Sequence, residues 1–231
     1  MALTLYTLCG IDPARPFSPH CWKAVMALAH KGLAFEEAPV PFTKIAEIEG
    51  GASRTVPLLR DGDRLVADSF AIAAHLEEAY PDRPSLFGGA GGLAAARFVE
   101  AWSIATLHAA LSPIILVDIH DRLAPADQAY FRETRENRFG KTLEEVVANR
   151  DAGIAAFPDR LQPLRLMLGR QPFLGGEGPL FSDYIVFGAL QWARVVSRAE
   201  LLPEGDPVRD WFERCLDLHG GVARRVPAAA A

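Results

Sequence analysis

Four short stretches of this 231-residue chain hold side chains whose types and spacing can do chemistry. Ser18 stands directly before Pro19. Serine is a strong helix N-cap, and proline at the first helical position gives up no needed N–H, so the pair marks a helix start. A hydroxyl placed there can accept one bond from the helix. It can also donate another to an anion held against the positive end of the helix dipole. The residues alone leave two readings open: a plain cap, or a group that stabilises an anion such as a thiolate. Cys9 and Cys21 flank this position as rival thiol nucleophiles, against the reading of cysteine as a small buried apolar residue. Asp68-Ser69 carries a second N-cap signature. Val56-Pro57 reads by itself as an ordinary proline at a strand start, and Lys44 as a solvated loop lysine. Six histidines show no metal-ligand signature such as H-E-x-x-H, and no G-x-x-x-x-G-K-[ST] phosphate loop occurs, so no metal is expected. His120, between Asp118 and Asp121, reads as a solvated or capping cluster.

These side chains need elements to position them. Leu3–Leu8 reads as a short buried strand, and Ser18-Pro19 opens a helix in which Val25, Leu28 and Ala29 recur at helical spacing before Gly32. Ala34–Val40 is a weaker strand. Val56–Arg60 and Arg64–Ala67 flank Asp61-Gly62-Asp63, a hairpin signal. Ser69 to Tyr80 is a helix with Ile72, Ala73, Leu76 and Tyr80 on one face. The run PDRPSLFGGAGG, 81–92, breaks all periodicity and marks a linker. After it, helical patterns span 93–121, 126–151, 158–169, 182–198 and 207–218, with no convincing strand. Segment 182–198 is apolar on nearly every face, as a helix central to a bundle should be. The pattern therefore gives an α/β domain over 1–80, a linker over 81–92 and an all-helical domain over 93–231.

Composition narrows the function classes. Half of the residues are hydrophobic, enough for a substantial core. A net charge of −5 argues against a nucleic-acid partner, which would need a basic patch. No apolar run is expected to reach transmembrane length, and Met1-Ala2-Leu3-Thr4 lacks a basic leader, so neither a membrane partner nor a secretory signal is expected. Three cysteines are too few and too odd in number for a disulfide framework, which points to a reducing cytoplasm.

Three motifs in order carry a family resemblance: Ser18-Pro19-His20-Cys21-Trp22-Lys23 running into Ala27-Leu28-Ala29-His30-Lys31-Gly32-Leu33; Thr55-Val56-Pro57-Leu58-Leu59; and Asp68-Ser69 opening a helix. With the Pro/Gly linker and the helical half, the whole chain resembles the cytosolic glutathione transferases. That resemblance implies a thioredoxin-like domain followed by an all-α domain, with glutathione as co-substrate. It implies Ser18 as the catalytic residue, donating to the glutathione sulfur. The Val56-Pro57 bond would be cis, with the Val56 backbone pairing with the cysteinyl backbone of glutathione. Asp68 would face the γ-glutamyl ammonium and Ser69 its carboxylate, with Lys44 as a candidate for the glycyl carboxylate. Phe17 and Trp102 are candidates for lining the pocket of a small hydrophobic or aromatic electrophile. Tyr6, inside the strand, reads as a core or edge residue. Asp183 resembles the aspartate that holds the loop before the family's central helix; Leu180 stands where a serine or threonine is usual, and Ser182 is a substitute. The resemblance also implies a cytoplasmic homodimer.

A narrower likeness rests on Tyr80-Pro81-Asp82-Arg83-Pro84, Ile119-His120-Asp121-Arg122 and Asp183–Gly188 with Gln191–Arg194. These look like the bacterial β-etherase branch and its fungal FuA-like relatives, which implies cleavage of β-aryl ethers. Two other function classes stay open at this point. One is a non-catalytic carrier of aromatic compounds with a glutathione site; the other is a thiol-disulfide, deglutathionylating enzyme that uses Cys21.

Overall fold

The structure is a computed structural model that describes residues 3–229. Its N-terminal part is built on β1 (Leu3–Leu8), whose alternating leucines and threonines are almost all buried, so both faces of the strand are covered. β1 pairs in parallel with β2 (Phe35–Val40) and antiparallel with β3 (Leu58–Asp61), which pairs antiparallel with β4 (Arg64–Ala67). The sheet order is β2-β1-β3-β4. The parallel pair needs a crossover, and α1 (Pro19–His30) supplies it. Gly62, at φ 61°, takes the left-handed position that the β3–β4 turn requires. α2 (Ser69–Ala79) follows directly on β4. Between β2 and β3 lies a 3₁₀ segment, Phe42–Gly51, that the sequence pattern does not reveal; Ile45 and Ile48 bury its inner side.

The rest is helical: α3 (Ala90–Trp102), a π-helical segment (Ser103–His108), α4 (Ala109–His120), α5 (Pro125–Phe139), α6 (Leu143–Val146), α7 (Arg150–Arg160), α8 (Gln162–Leu168), α9 (Phe181–Val196) and α10 (Pro207–Gly221). α3 starts at Ala90, so positions 90–92 of the expected linker are helical. The expected single helix over 126–151 is three. Gly140, left-handed at φ 65°, ends α5, and a capping box between Thr142 and Glu145 starts α6. Pro158, read as the start of a helix, lies near the end of α7, and α8 begins with Gln162-Pro163.

One expectation about length fails. The continuous helical run Ala90–His120 is long and apolar enough, by length and composition alone, to cross a membrane, with a mean hydropathy of 1.5 over its best 18-residue window. A core helix passes the same test. Leu107, Leu111, Ile114, Ile115 and Ile119 are buried in the bundle, while Phe98 is exposed.

The core is continuous from the sheet through α1 to α9. α9 is buried along nearly its whole length, as its all-round apolar pattern predicts. Its approach to α1 depends on Gly188: a Cβ there would lie 2.4 Å from the Pro19 carbonyl oxygen. The absent side chain thus sets how closely the start of α1, with Ser18, lies against the helical half. Of two buried lysines, Lys23 reinforces the junction by reaching α3, and Lys31 ties the end of α1 to α2. The Lys23 ammonium donates to both Glu100 oxygens at 2.7 and 2.9 Å and to His20 Nδ1 at 3.2 Å. Lys31 pairs with Glu77 at 2.6 Å and donates to the Tyr80 carbonyl. Asp183, wholly buried, accepts from the backbone N–H groups of Leu174, Gly175 and Leu180 and from the Trp211 indole N–H. Asp183 alone makes the loop-holding bonds; Ser182 makes no side-chain hydrogen bond among the described residues.

Candidate functional site

Sheet register brings three of the sequence motifs to one end of the sheet. Tyr6 pairs with Leu58 and Leu58 with Ala67, so the end of β1, the Val56-Pro57 segment and the end of β4 lie side by side. Phe17 N–H donates to the Leu8 carbonyl at 3.0 Å, which brings the chain back to the same end after the proline loop. The Trp22 indole N–H, bonded to the Pro16 carbonyl at 3.1 Å, pins that loop to α1.

Ser18 caps α1. Its Oγ accepts the Cys21 N–H at 3.4 Å, and Pro19 occupies the first turn. The residue is 5% exposed. The Val56-Pro57 peptide bond is cis. Asp68 stands at φ 76° and caps α2, with one carboxylate oxygen accepting from the N–H groups of Phe70 and Ala71 at 2.9 and 3.0 Å. Beside it the Ser69 hydroxyl is buried and has no hydrogen-bond partner among the described residues. A buried hydroxyl left unpaired costs free energy, so its position suits an incoming polar ligand. Lys44 lies on the 3₁₀ segment, more than half exposed, and pairs with Glu47 at 2.7 Å.

Ser18, Phe17 and Val56 border one cavity of about 610 Å³ between the sheet end and the helices. Phe42 and Ile45 come from the 3₁₀ segment, Ile104, His108, Ser112, Leu116 and Ile119 from the long helical run, Tyr130, Phe131, Arg135, Arg138 and Phe139 from α5, and Trp192 from α9. Lys44, Pro57, Asp68, Ser69 and Trp102 do not line it. Trp102 packs half-buried against the core. Trp192 supplies the tryptophan of the cavity wall instead.

The cavity contains chemistry that the sequence reading passed over. The His20 and His108 rings meet at 5.3 Å between centroids, and His108 packs on Trp192 at 5.8 Å. Burial pushes both imidazoles down to about 3, helped at His20 by Lys23 and at His108 by His20 and Lys23. Both are therefore neutral at physiological pH, and His108 Nε2 has no hydrogen-bond partner among the described residues. The α5 heptad face that presents Tyr130, Phe131, Arg135, Arg138 and Phe139 is readable as a spacing, but which way it turns is not.

The cysteines fare badly as nucleophiles. Cys21 is 1% exposed, and burial pushes its thiol up to about 12; Cys9 is likewise buried and pushed up to about 11. A reactive thiol needs the opposite: exposure and a depressed pKa. Tyr6 stays out of the cavity, its hydroxyl donating to Glu49.

Comparison with known proteins agrees with the architecture. A family model for the glutathione S-transferase N-terminal domain matches residues 17–79, and one for the glutathione S-transferase C-terminal domain matches residues 94–218. A glutathione S-transferase-like protein of Aspergillus flavus, ustS, is 26% identical over 210 residues, which cover 78% of this chain and 75% of that protein. Among solved structures, glutathione transferase GSTFuA2 of Phanerochaete chrysosporium is 28% identical, with a TM-score of 0.69 over 99% of this chain and 100% of that one. A glutathione S-transferase of Ceriporiopsis subvermispora, crystallised in complex with glutathione, superposes with a TM-score of 0.78 over the full length of both chains at 22% identity, and so shows the shared fold.

Proposed function

Because this chain belongs to the glutathione S-transferase family, we propose that it binds glutathione at the end of its sheet and directs the thiolate into the cavity beside Ser18. Glutathione is the co-substrate. The observation that carries the reading is the convergence of Ser18, Val56 and the aromatic wall on one cavity, with the Asp68-Ser69 helix start at the same sheet end.

The chemistry follows from the groups present. Ser69, with its unpaired buried hydroxyl and the α2 N-terminus, takes the γ-glutamyl carboxylate, and Asp68 takes the ammonium. The Val56 backbone pairs with the cysteinyl backbone in the manner of an added strand. Pro57, next to it, shapes this segment, and Lys44 reaches the glycyl carboxylate by giving up its exposed pairing with Glu47. The Ser18 hydroxyl donates to sulfur while the α1 N-terminus adds positive potential, so the thiol ionises more readily. The thiolate then attacks a hydrophobic electrophile held by Phe17 and the other aromatic side chains, and a leaving group departs with the electron pair of the broken bond. A β-aryl ether, losing an aryloxide, is the electrophile suggested by the likeness to the β-etherase and FuA-like branch. The glutathione transferase GSTFuA2 of P. chrysosporium, at 28% identity, supports the FuA-like part of that likeness. A homodimer is the arrangement that the family likeness implies, and Phe98 on α3, 74% exposed, is an apolar group that a second copy would cover.

Calorimetry tests the binding mode. Asp68→Ala is expected to weaken glutathione binding by about 1.5–3 kcal/mol, the range for hydrogen bonds to charged groups, and Ser69→Ala to weaken it in the same direction. Unchanged affinity in both folded variants removes the assignment. Binding of glutathione and aromatic ligands without conjugation of any electrophile would make the chain a carrier.

A further inference from the structure

The cavity has an unexpected charge. Arg54, Arg135 and Arg138 all border it, and no aspartate or glutamate does among the described residues. None of the three arginines makes an ion pair among the described residues, although the chain as a whole carries a net charge of −5. Two of the three acids on α5 are committed elsewhere, and the third, Glu133, does not border the cavity. Glu136 pairs with Arg132 at 2.9 Å, and Arg132 also reaches Glu144. Asp127 is buried and accepts the Thr43 N–H.

Arg135 is the half-buried member. Its guanidinium lies 4.5 Å from the Phe131 ring centroid and 5.2 Å from that of Phe42, two rings that themselves border the cavity. This stacking fixes the planar group in place. Its one side-chain hydrogen bond goes to Thr134. Burial, with Arg138 nearby, pulls its pKa below the ordinary arginine value. A cation held by aromatic faces at the rim of a cavity, with no carboxylate partner, is stabilised when a ligand brings one.

We propose that the second substrate is an aromatic electrophile carrying an acidic group, a carboxylate or a group of like charge, and that Arg135 is the residue that selects it, with Arg138 in support. This rests on the glutathione transferase reading of the same cavity. A ring stacked among Phe42, Tyr130 and Phe131 would place its acid against the guanidinium fork. A carboxylate could also come from the glycyl end of glutathione. Arg135 is assigned to the electrophile because it stands on α5 amid the aromatic wall, whereas Arg54 is the arginine beside Val56.

The test compares S-(para-carboxybenzyl)glutathione and its meta isomer with the corresponding neutral, nearly isosteric carbamoylbenzyl compounds, by calorimetry at low and high salt. Glutathione itself is the reference ligand. The wild-type chain is expected to prefer one carboxylate by about tenfold or more, as a charge-assisted pair provides, with the preference shrinking at high salt. Arg135→Leu should collapse that preference towards one, and Arg135→Lys should retain part of it. Equal affinity for acid and amide in the wild type, or a preference that survives in Arg135→Leu, overturns the inference while leaving the glutathione site intact. Loss of affinity for glutathione itself in Arg135→Leu overturns it too, because the arginine would then serve the tripeptide. Failure of glutathione and all four adducts to bind the wild type would instead remove the underlying function.

Discussion

Asp183→Ala is expected to destabilise the protein by about 3–5 kcal/mol, because it leaves four buried N–H donors without an acceptor at about 1–3 kcal/mol each, offset in part by no longer burying a carboxylate. The aspartate is 0% exposed and satisfies four donors at 2.8–3.0 Å: the backbone N–H groups of Leu174, Gly175 and Leu180 and the indole of Trp211. Burial holds its pKa above the usual aspartate value even though the four donors pull it down. Alanine would leave every donor without an acceptor in a site from which water is excluded. The Asp183→Asn variant is not a rescue: an amide keeps one acceptor oxygen and turns two N–H donors towards a cluster that contains only donors. Its stability should therefore fall close to that of Asp183→Ala in urea denaturation. The loop 174–180 leads into α9, and α9 packs on α1 through Gly188, so partial loss of this anchor should also loosen Ser18. A loss below about 1 kcal/mol, the size of a single ordinary hydrogen bond, would contradict this account of the network.

Acid should destabilise the chain early. His20 and His108 are held down to about 3 and His219 to about 4, and His30 is lowered as well, in every case first by burial. Tyr184 joins two of them: its hydroxyl lies 2.6 Å from His30 Nδ1 and 2.8 Å from His219 Nε2. A histidine whose folded pKa is depressed stays neutral in the native state, while the unfolded chain takes up a proton near pH 6.5. The stability it contributes is complete above that pH and is lost as the pH falls towards the folded pKa. His20 and His108, the two held to about 3, each cost about 1.4 kcal/mol per pH unit once the unfolded chain is protonated, so about 2 kcal/mol between pH 7 and pH 5, while His30 and His219 add in the same direction. Urea midpoints measured across that range should fall steeply, and a His219→Gln/His108→Gln variant should show a shallower slope. A flat profile between pH 7 and pH 5 would contradict the neutral, buried state of these rings.

Local signals foretold the local elements. Ser18-Pro19 gave the start of α1, Asp61-Gly62-Asp63 the β3–β4 turn, and the all-round apolar run the central α9. Other signals were present but unused: Gly140 and the Thr142–Glu145 capping box mark the break between α5 and α6. The 3₁₀ segment at 42–51 has no periodicity that separates it from loop, and it is held by tertiary contacts such as Thr43 N–H to Asp127. The π segment over 103–108 has no sequence signal of its own, and Trp192, which borders the cavity, reads in the sequence only as part of an all-round apolar helix. His108 and Arg135 escaped notice for a related reason. Each is an ordinary polar residue on a helix until the neighbouring helices fix which face looks into the cavity.

The central claim is that Ser18 and the α1 N-terminus lower the pKa of bound glutathione. The direct measurement is thiolate absorbance of the bound tripeptide against pH, in the wild-type chain and in folded Ser18→Ala, with Cys21→Ala as control. In the wild type the bound thiol should titrate below the value of about 8.5 for a free cysteine thiol. Ser18→Ala should raise it by about one pH unit, equivalent to about 1.4 kcal/mol, with turnover at neutral pH falling more than glutathione affinity and recovering as the pH rises. Cys21→Ala should leave the titration in place, because that thiol is buried and pushed up to about 12. A bound thiol that titrates identically in wild type and Ser18→Ala would reduce Ser18 to a helix cap and contradict the claim.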